Sequence, residues 1–216
     1  SDLKMNDTYR QVFENNKNWI KTNLEKDPDF FKHLAKGQTP DFLYIGCADS
    51  RVPANEIMGL EPGDVFVHRN IANLVVNTDM NAQSVIQYAV EHLKVKHVVV
   101  CGHYNCGGVA AAMGNSNLGL IDGWLREIRD VYRTHADALN AIADEHARYN
   151  RLIELNVLEQ CFNVMKTAFV QKSYAANHFP QVHGWVYDLK NGELIDLNFD
   201  FEGSLKKIQE VYDITK

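Results

Sequence analysis

Two short glycine-marked segments each stand at the end of an apolar run, and each carries thiols or an imidazole there. Phe42-Leu43-Tyr44-Ile45 leads into Gly46-Cys47-Ala48-Asp49-Ser50-Arg51, and Val98-Val99-Val100 leads into Cys101-Gly102-His103-Tyr104-Asn105-Cys106-Gly107-Gly108. Short continuous apolar runs of this kind suit strands buried on both faces, as in a parallel sheet covered by helices. Open α/β sheets gather their ligands at the carboxyl ends of the strands. The expected fold is therefore α/β: a central, mostly parallel β-sheet flanked by helices, with Cys47, His103 and Cys106 emerging at strand ends.

Those three side chains have the donor set of a zinc site. Three protein ligands leave one tetrahedral position for water or substrate, whereas a structural site normally closes all four. One zinc per chain is expected. Free cysteine is also a common core residue, but that account leaves the joint spacing of the three unexplained. It does suit Cys101, which closes an apolar strand, and Cys161, which lies along the apolar side of a helix. Two disulfides are formally possible with four cysteines; in an enzyme-sized chain of cytosolic character the pattern more often serves a metal.

At 216 residues the chain fits one domain, with 1–36 expected as a helical arm and 37–216 as the catalytic core. The net charge of −6, with basic residues dispersed among acidic ones, gives no basic stripe for nucleic acid. No run reaches the length of a membrane span, and Ser1 to Arg10 lacks the order of a secretory signal. A cytoplasmic protein is expected, with an organelle left open.

Along the chain, Val12, Phe13, Trp19, Ile20 and Leu24 approximate one face of an N-terminal helix between Thr8 and Leu24. Pro28 opens a second short helix ended by Gly37. Pro62-Gly63-Asp64 turns into a strand at Val65-Phe66-Val67, and Asn81 to Leu93 reads as the crossover helix. A helix from Cys106 to Met113 would place free N–H groups near Gly107 and Gly108, able to receive an anion. Gly114 to Gly123 reads as a loop, Glu145 to Gln171 as the strongest helix, and Val182–Leu189 with Glu193–Asn198 as a C-terminal hairpin through Asn191-Gly192. Ser204 to Tyr212 reads as a closing helix.

Cys-Ala-Asp-Ser-Arg at 47–51, Val67-His68-Arg69-Asn70-Ile71-Ala72-Asn73, and Gly102-His103-Tyr104-Asn105-Cys106-Gly107-Gly108 together resemble a β-class carbonic anhydrase, in the family's order and spacing from about Gln38 to Tyr187. The resemblance implies reversible hydration of carbon dioxide to bicarbonate and a proton, by hydroxide generated at zinc and oriented by an Asp49–Arg51 dyad. It implies that Asp49 accepts the hydrogen bond from that hydroxide, with Arg51 holding the carboxylate. In a closed state Asp49 would instead occupy zinc's fourth position. Gln38, Phe66 and Tyr88 match the family's substrate-facing residues, and Arg69 and Tyr187 match two parts of a regulatory bicarbonate site. The tryptophan of that regulatory site is replaced here by Tyr44. The resemblance further implies a homodimer as minimum assembly, extending to a homotetramer, with the cleft completed across the interface.

Several bland roles stand beside these. Phe66 alternates along a strand and suits a core, Arg69 suits a partner for a nearby carboxylate, and Asp49–Arg51 suits an ordinary ion pair. His68, His92, His97, His135, His146, His178 and His183 all titrate near neutrality, and the sequence singles out none as a proton shuttle. Two rival functions share the motif: hydrolysis of carbon disulfide or carbonyl sulfide on the same site, and a noncatalytic zinc-binding protein.

Overall fold

In this computed structural model residues 2–216 are described, with side chains from Lys4 onward. The chain forms two compact units that meet in sequence at Gln38 and Thr39. In the first, α1 runs Asp2–Lys26 and α2 Phe30–Ala35. Trp19 of α1 meets Phe30 and Phe31 edge-on, with ring centroids 6.1 and 5.5 Å apart, which fixes the angle between the two helices. Gly37 has φ +131°, a conformation that L side chains rarely adopt, and ends the segment as expected.

The second unit is built on β1 (Phe42–Cys47), followed by α3 (Ala54–Met58), β2 (Val65–Asn70) and α4 (Met80–Gln87). A single π turn, Tyr88–His92, carries α4 into β3 (His97–His103). Next come α5 (Gly107–Met113), α6 (Ile121–Thr134), α7 (Ala136–Asn140), α8 (Glu145–Met165) and α9 (Ala168–Asn177). The chain closes through β4 (Gln181–Tyr187), β5 (Leu194–Asp196) and α10 (Phe201–Val211). The sheet order is β2-β1-β3-β4-β5; the first four strands are parallel and β5 returns antiparallel to β4.

Register decides which side chains meet. Leu43, Ile45, Val98, Val100, Val182 and Val186 face one way, into the main core with the helices. Tyr44, Val99 and Cys101 face the other way, into a smaller cluster with Val65 and Ala54. Each buried aliphatic side chain contributes about 1.5–3 kcal/mol by leaving water. Two glycines are required by close approach. A Cβ on Gly46 would stand 2.3 Å from the Tyr44 ring, and one on Gly102 would stand 2.7 Å from Val157 of α8.

Several boundaries differ from the sequence expectation, α1 beginning at Asp2 rather than Thr8 and α10 at Phe201 rather than Ser204. The single helix expected over Glu145–Gln171 is two, because Thr167 adopts extended backbone and its hydroxyl donates to Val164 O at 2.7 Å. The hydroxyl competes with the helix's own ladder there. Asp79 caps α4 by accepting from Asn81 N at 3.2 Å, so the crossover begins at Met80. Helix α6 begins at Ile121, which places Gly123 within it rather than in a loop.

Candidate metal centre

Cys47 ends β1 and His103 ends β3, on neighbouring parallel strands. Asn105 takes a left-handed turn, φ 59°, a conformation asparagine tolerates, and this brings Cys106 to the N-cap of α5. The donor atoms of Cys47, His103 and Cys106 lie within 4.8 Å of one another, and all three residues are buried.

The imidazole is oriented by its backbone neighbour. A carbonyl can only accept, so the 2.8 Å contact means that Nδ1–H of His103 donates to Tyr104 O. Nε2 then carries the lone pair, as a metal-ligating histidine requires. That Nε2 is buried and has no hydrogen-bond partner. Burial resists charge on this ring, yet the Cys47 sulfur, the Tyr104 carbonyl and the Asp49 carboxylate together draw its pKa upward. Negative groups therefore converge where a cation would sit, and two thiolates with one imidazole suit zinc.

The two thiols are not equivalent. The neighbouring Cys106 thiol draws the Cys47 pKa down against the effect of burial, and His103 acts in the same direction. Cys106 is pushed up by its closeness to Cys47 and by burial. Gly107 and Gly108 open α5, where a Cβ on Gly108 would stand 2.9 Å from Ile71.

Asp49 and Arg51 form a two-pronged pair. Arg51 Nε donates to Oδ1 at 2.9 Å and Nη2 to Oδ2 at 2.6 Å, while the Arg51 amide donates to Oδ1 at 2.9 Å. These bonds hold the Asp49 carboxyl well below the usual carboxylate range, against burial and with help from His103. Oδ2 stands 3.8 Å from His103 Nε2, so the carboxylate borders the ligand trio.

The remaining sequence candidates scatter. Phe66 and Tyr88 meet each other, with ring centroids 5.7 Å apart, and Tyr88 also stacks on His92. Gln38 is the last residue of the first unit. Arg69 pairs with no carboxylate here: Nε donates to Cys47 O at 2.9 Å and Nη2 to Asp49 O. Carbonyl oxygens at the strand end are its partners, which corrects the ion-pair expectation. Tyr44 and Tyr187 share the smaller cluster, and the Tyr44 hydroxyl is buried without a partner. Cys101 and Cys161 are packing residues, both free and buried; burial pushes the Cys101 thiol up to about 12. His97 and His183 pair at 2.9 Å beside Phe42, and His135 meets Glu159 at 3.1 Å.

Sequence reasoning missed the residues of α8 that hold the ligand loops. Tyr149 donates to Cys106 O at 2.6 Å, and Glu154 accepts from the Tyr104 hydroxyl at 2.8 Å. Asn156 and Gln160 are buried among aliphatics. Polar residues spaced by four on an otherwise apolar helical face were the available signal.

An open α/β sheet with a buried Cys-His-Cys trio at its strand ends has the donor set of a mononuclear metal site. The chain belongs to the β-class carbonic anhydrases: residues 42–194 match the carbonic anhydrase family. It is 60% identical to a carbonic anhydrase of Emericella nidulans over 97% of this chain and 92% of that protein. It is 33% identical to a carbonic anhydrase of Candida albicans over 89% of this chain and 69% of that protein. Among solved structures, the β-carbonic anhydrase CafA of Aspergillus fumigatus superposes with a TM-score of 0.88 at 41% identity, over 94% of this chain and 97% of that one. One of two tetrameric β-carbonic anhydrases of Sordaria macrospora superposes with 0.84 at 42% identity, over 89% and 98%. By this kinship the chain is an enzyme, a lyase.

Proposed function

We propose that this chain hydrates carbon dioxide reversibly to bicarbonate, with one zinc held by Cys47, His103 and Cys106 and an Asp49–Arg51 dyad beside it. The observation that carries the reading is a bare, buried Nε2 on His103, set among two thiols and a carboxylate locked by Arg51. When bound there, zinc supplies Lewis acidity and generates hydroxide from water near neutral pH.

The chain's own residues do the rest. Asp49, kept ionised and immobile by Arg51, would accept a hydrogen bond from the nucleophilic oxygen and so orient it toward the carbon of carbon dioxide. Oδ2 is the atom on the ligand side. With both oxygens engaged by Arg51, Asp49 is placed to orient rather than to ligate. By the family pattern Gln38, Phe66 and Tyr88 are substrate-facing residues, an amide donor and two rings that suit a small linear molecule. Arg69 serves the ligand loop, since two of its donors are committed to Cys47 O and Asp49 O; this favours a structural duty over a regulatory bicarbonate site with Tyr187.

A homodimer is the proposed minimum assembly, pairing into tetramers like those of the Sordaria macrospora enzymes. The half-exposed apolar stripe of α1 supports it. Among the described residues no helix is long and apolar enough to cross a membrane. Four free thiols suit a reducing compartment, the cytoplasm.

Stopped-flow carbon dioxide hydration, with zinc per chain measured on the same preparation, tests this directly. Rapid hydration with one zinc is expected, and Asp49→Ala should lose about 10²-fold while retaining zinc. Full zinc with no hydration would overturn the reading. Turnover of carbon disulfide or carbonyl sulfide would then mark a hydrolase, and no turnover of any of the three would mark a noncatalytic zinc protein.

A further inference from the structure

Between β2 and α4 the backbone passes through two consecutive non-glycine residues in the left-handed region, Ala72 at φ 65° and Asn73 at φ 48°. For Ala72 this costs about 1–2 kcal/mol, whereas asparagine tolerates the region, and such residues persist where their surroundings over-determine them. Here the surroundings do. Asn70 clasps Leu74 in both directions, its Oδ1 accepting from Leu74 N at 2.7 Å and its Nδ2 donating to Leu74 O at 2.8 Å. Trp124 Nε1 donates to Ile71 O at 2.7 Å.

Helix α8 adds a ladder of three amide side chains. Asn156 Nδ2 donates to Ala72 O at 3.1 Å, Gln160 Oε1 accepts from Val75 N at 2.7 Å, and Asn163 Nδ2 donates to Val75 O at 3.1 Å. Within the helix, Gln160 Nε2 donates to Asn156 Oδ1 at 3.0 Å and Asn163 Nδ2 to Gln160 Oε1 at 3.1 Å. Buried amides cost about 1–3 kcal/mol each when left unpaired, so an apolar residue would be the simpler filling for this face.

The loop so held borders both thiols. Ala48 N donates to Asn70 O at 2.7 Å, joining the loop to the residue after Cys47. A Cβ on Gly108 would lie 3.3 Å from the Ala72 Cβ, which puts the loop against the start of the helix that carries Cys106.

We propose that Asn156, Gln160 and Asn163 are positioning residues for the metal centre: they hold the loop from Ala72 to Val75, which lies between the Cys47 strand end and the start of the Cys106 helix, and so set how the two sulfurs are presented to a bound metal. The inference rests on Cys47 and Cys106 being metal ligands. Outer groups of this kind change metal affinity by about 10–100-fold.

The test is the cobalt(II)-substituted full-length protein, comparing Asn156→Leu and Gln160→Leu with Val164→Ala, a core truncation on the same helix. Asn156→Leu and Gln160→Leu should keep one cobalt per chain, shift the thiolate-to-cobalt charge-transfer band and change cobalt affinity by about 10-fold or more. Val164→Ala should lower Tm and leave the band in place. An unmoved band in both amide variants, with Tm lowered as in Val164→Ala, would overturn the proposal. Should either leucine variant fail to fold, Asn163→Ala removes a half-buried rung and is read by the same band, with the same outcomes. A wild-type protein that takes up no cobalt or zinc would fail at the ligand assignment, and the inference would fall with it.

Discussion

Helix α1 leaves Met5, Tyr9, Val12 and Phe13 exposed over more than half of their surface, whereas α8 buries Leu152, Ile153, Val157, Cys161 and Val164 almost completely. Both segments announce themselves by apolar residues at helical spacing. That spacing says which residues share a face and nothing about what covers the face. In α8 the cover is β3, β4 and neighbouring helices. Because the cover is backbone as well as side chain, α8 also carries polar residues at set heights that meet carbonyls and amides of the ligand loops. In α1 the apolar face carries no such polar inserts and stays exposed.

Truncating each face is the strongest way to break this contrast. Leu152→Ala should lower unfolding free energy by about 2–5 kcal/mol through cavity formation, read from urea midpoints. Phe13→Ala should change protomer stability by less than about 0.5 kcal/mol while shifting dimer dissociation in sedimentation. A large stability loss from Phe13→Ala in dilute protomer would erase the distinction.

Next in size is Gly102→Ala. Its Cβ would stand 2.7 Å from Val157, so overpacking should cost about 1–3 kcal/mol. Val157→Ala should relieve it, making the double variant less destabilised than the sum of the singles. Strict additivity would show that α8 does not press on β3 at this point.

A smaller effect tests how α8 starts. Asp144 accepts from Ala147 N at 2.8 Å, and Asp144→Ala should cost about 1 kcal/mol, seen as a lower Tm with no change in metal content.

The smallest expected effect is a pH dependence at the far end of the sheet. Burial lowers the pKa of His183, and His97 adds to the shift against the pull of Asp196. Burial likewise lowers His68 against Asp79. Both rings are therefore neutral in the folded protein over a range where the unfolded chain already binds protons. Their contribution to stability is present above the unfolded value near 6.5 and is lost as pH falls through the folded values. Urea midpoints should decline from pH 7.5 toward 5.5, by less in His183→Gln. An identical decline in that variant would remove His183 from the account.

Much of the fold was legible because its signals are local. Continuous apolar runs marked β1 and β3, Asn191-Gly192 marked the turn between β4 and β5, and Pro28 with Gly37 bracketed α2. The break between α8 and α9 was not legible: the apolar spacing continues across it, and only the Thr167 hydroxyl bonding to Val164 O ends the ladder. At the site, the ligand trio and Asp49–Arg51 stood out by spacing within two short segments. Tyr149, Glu154, Asn156 and Gln160 did not, because each meets partners 43 to 85 positions away in the chain.

The sequence by itself determined the donor chemistry, the family and the strand ends on which the donors sit, since residue type and short-range spacing suffice for these. Only the tertiary structure decided that Arg69 grips carbonyls rather than a carboxylate and that α8 braces the loops. Those are matters of register and long-range packing: a parallel sheet brings together residues that are remote in sequence, and a helix laid across it settles which backbone groups its polar side chains can reach.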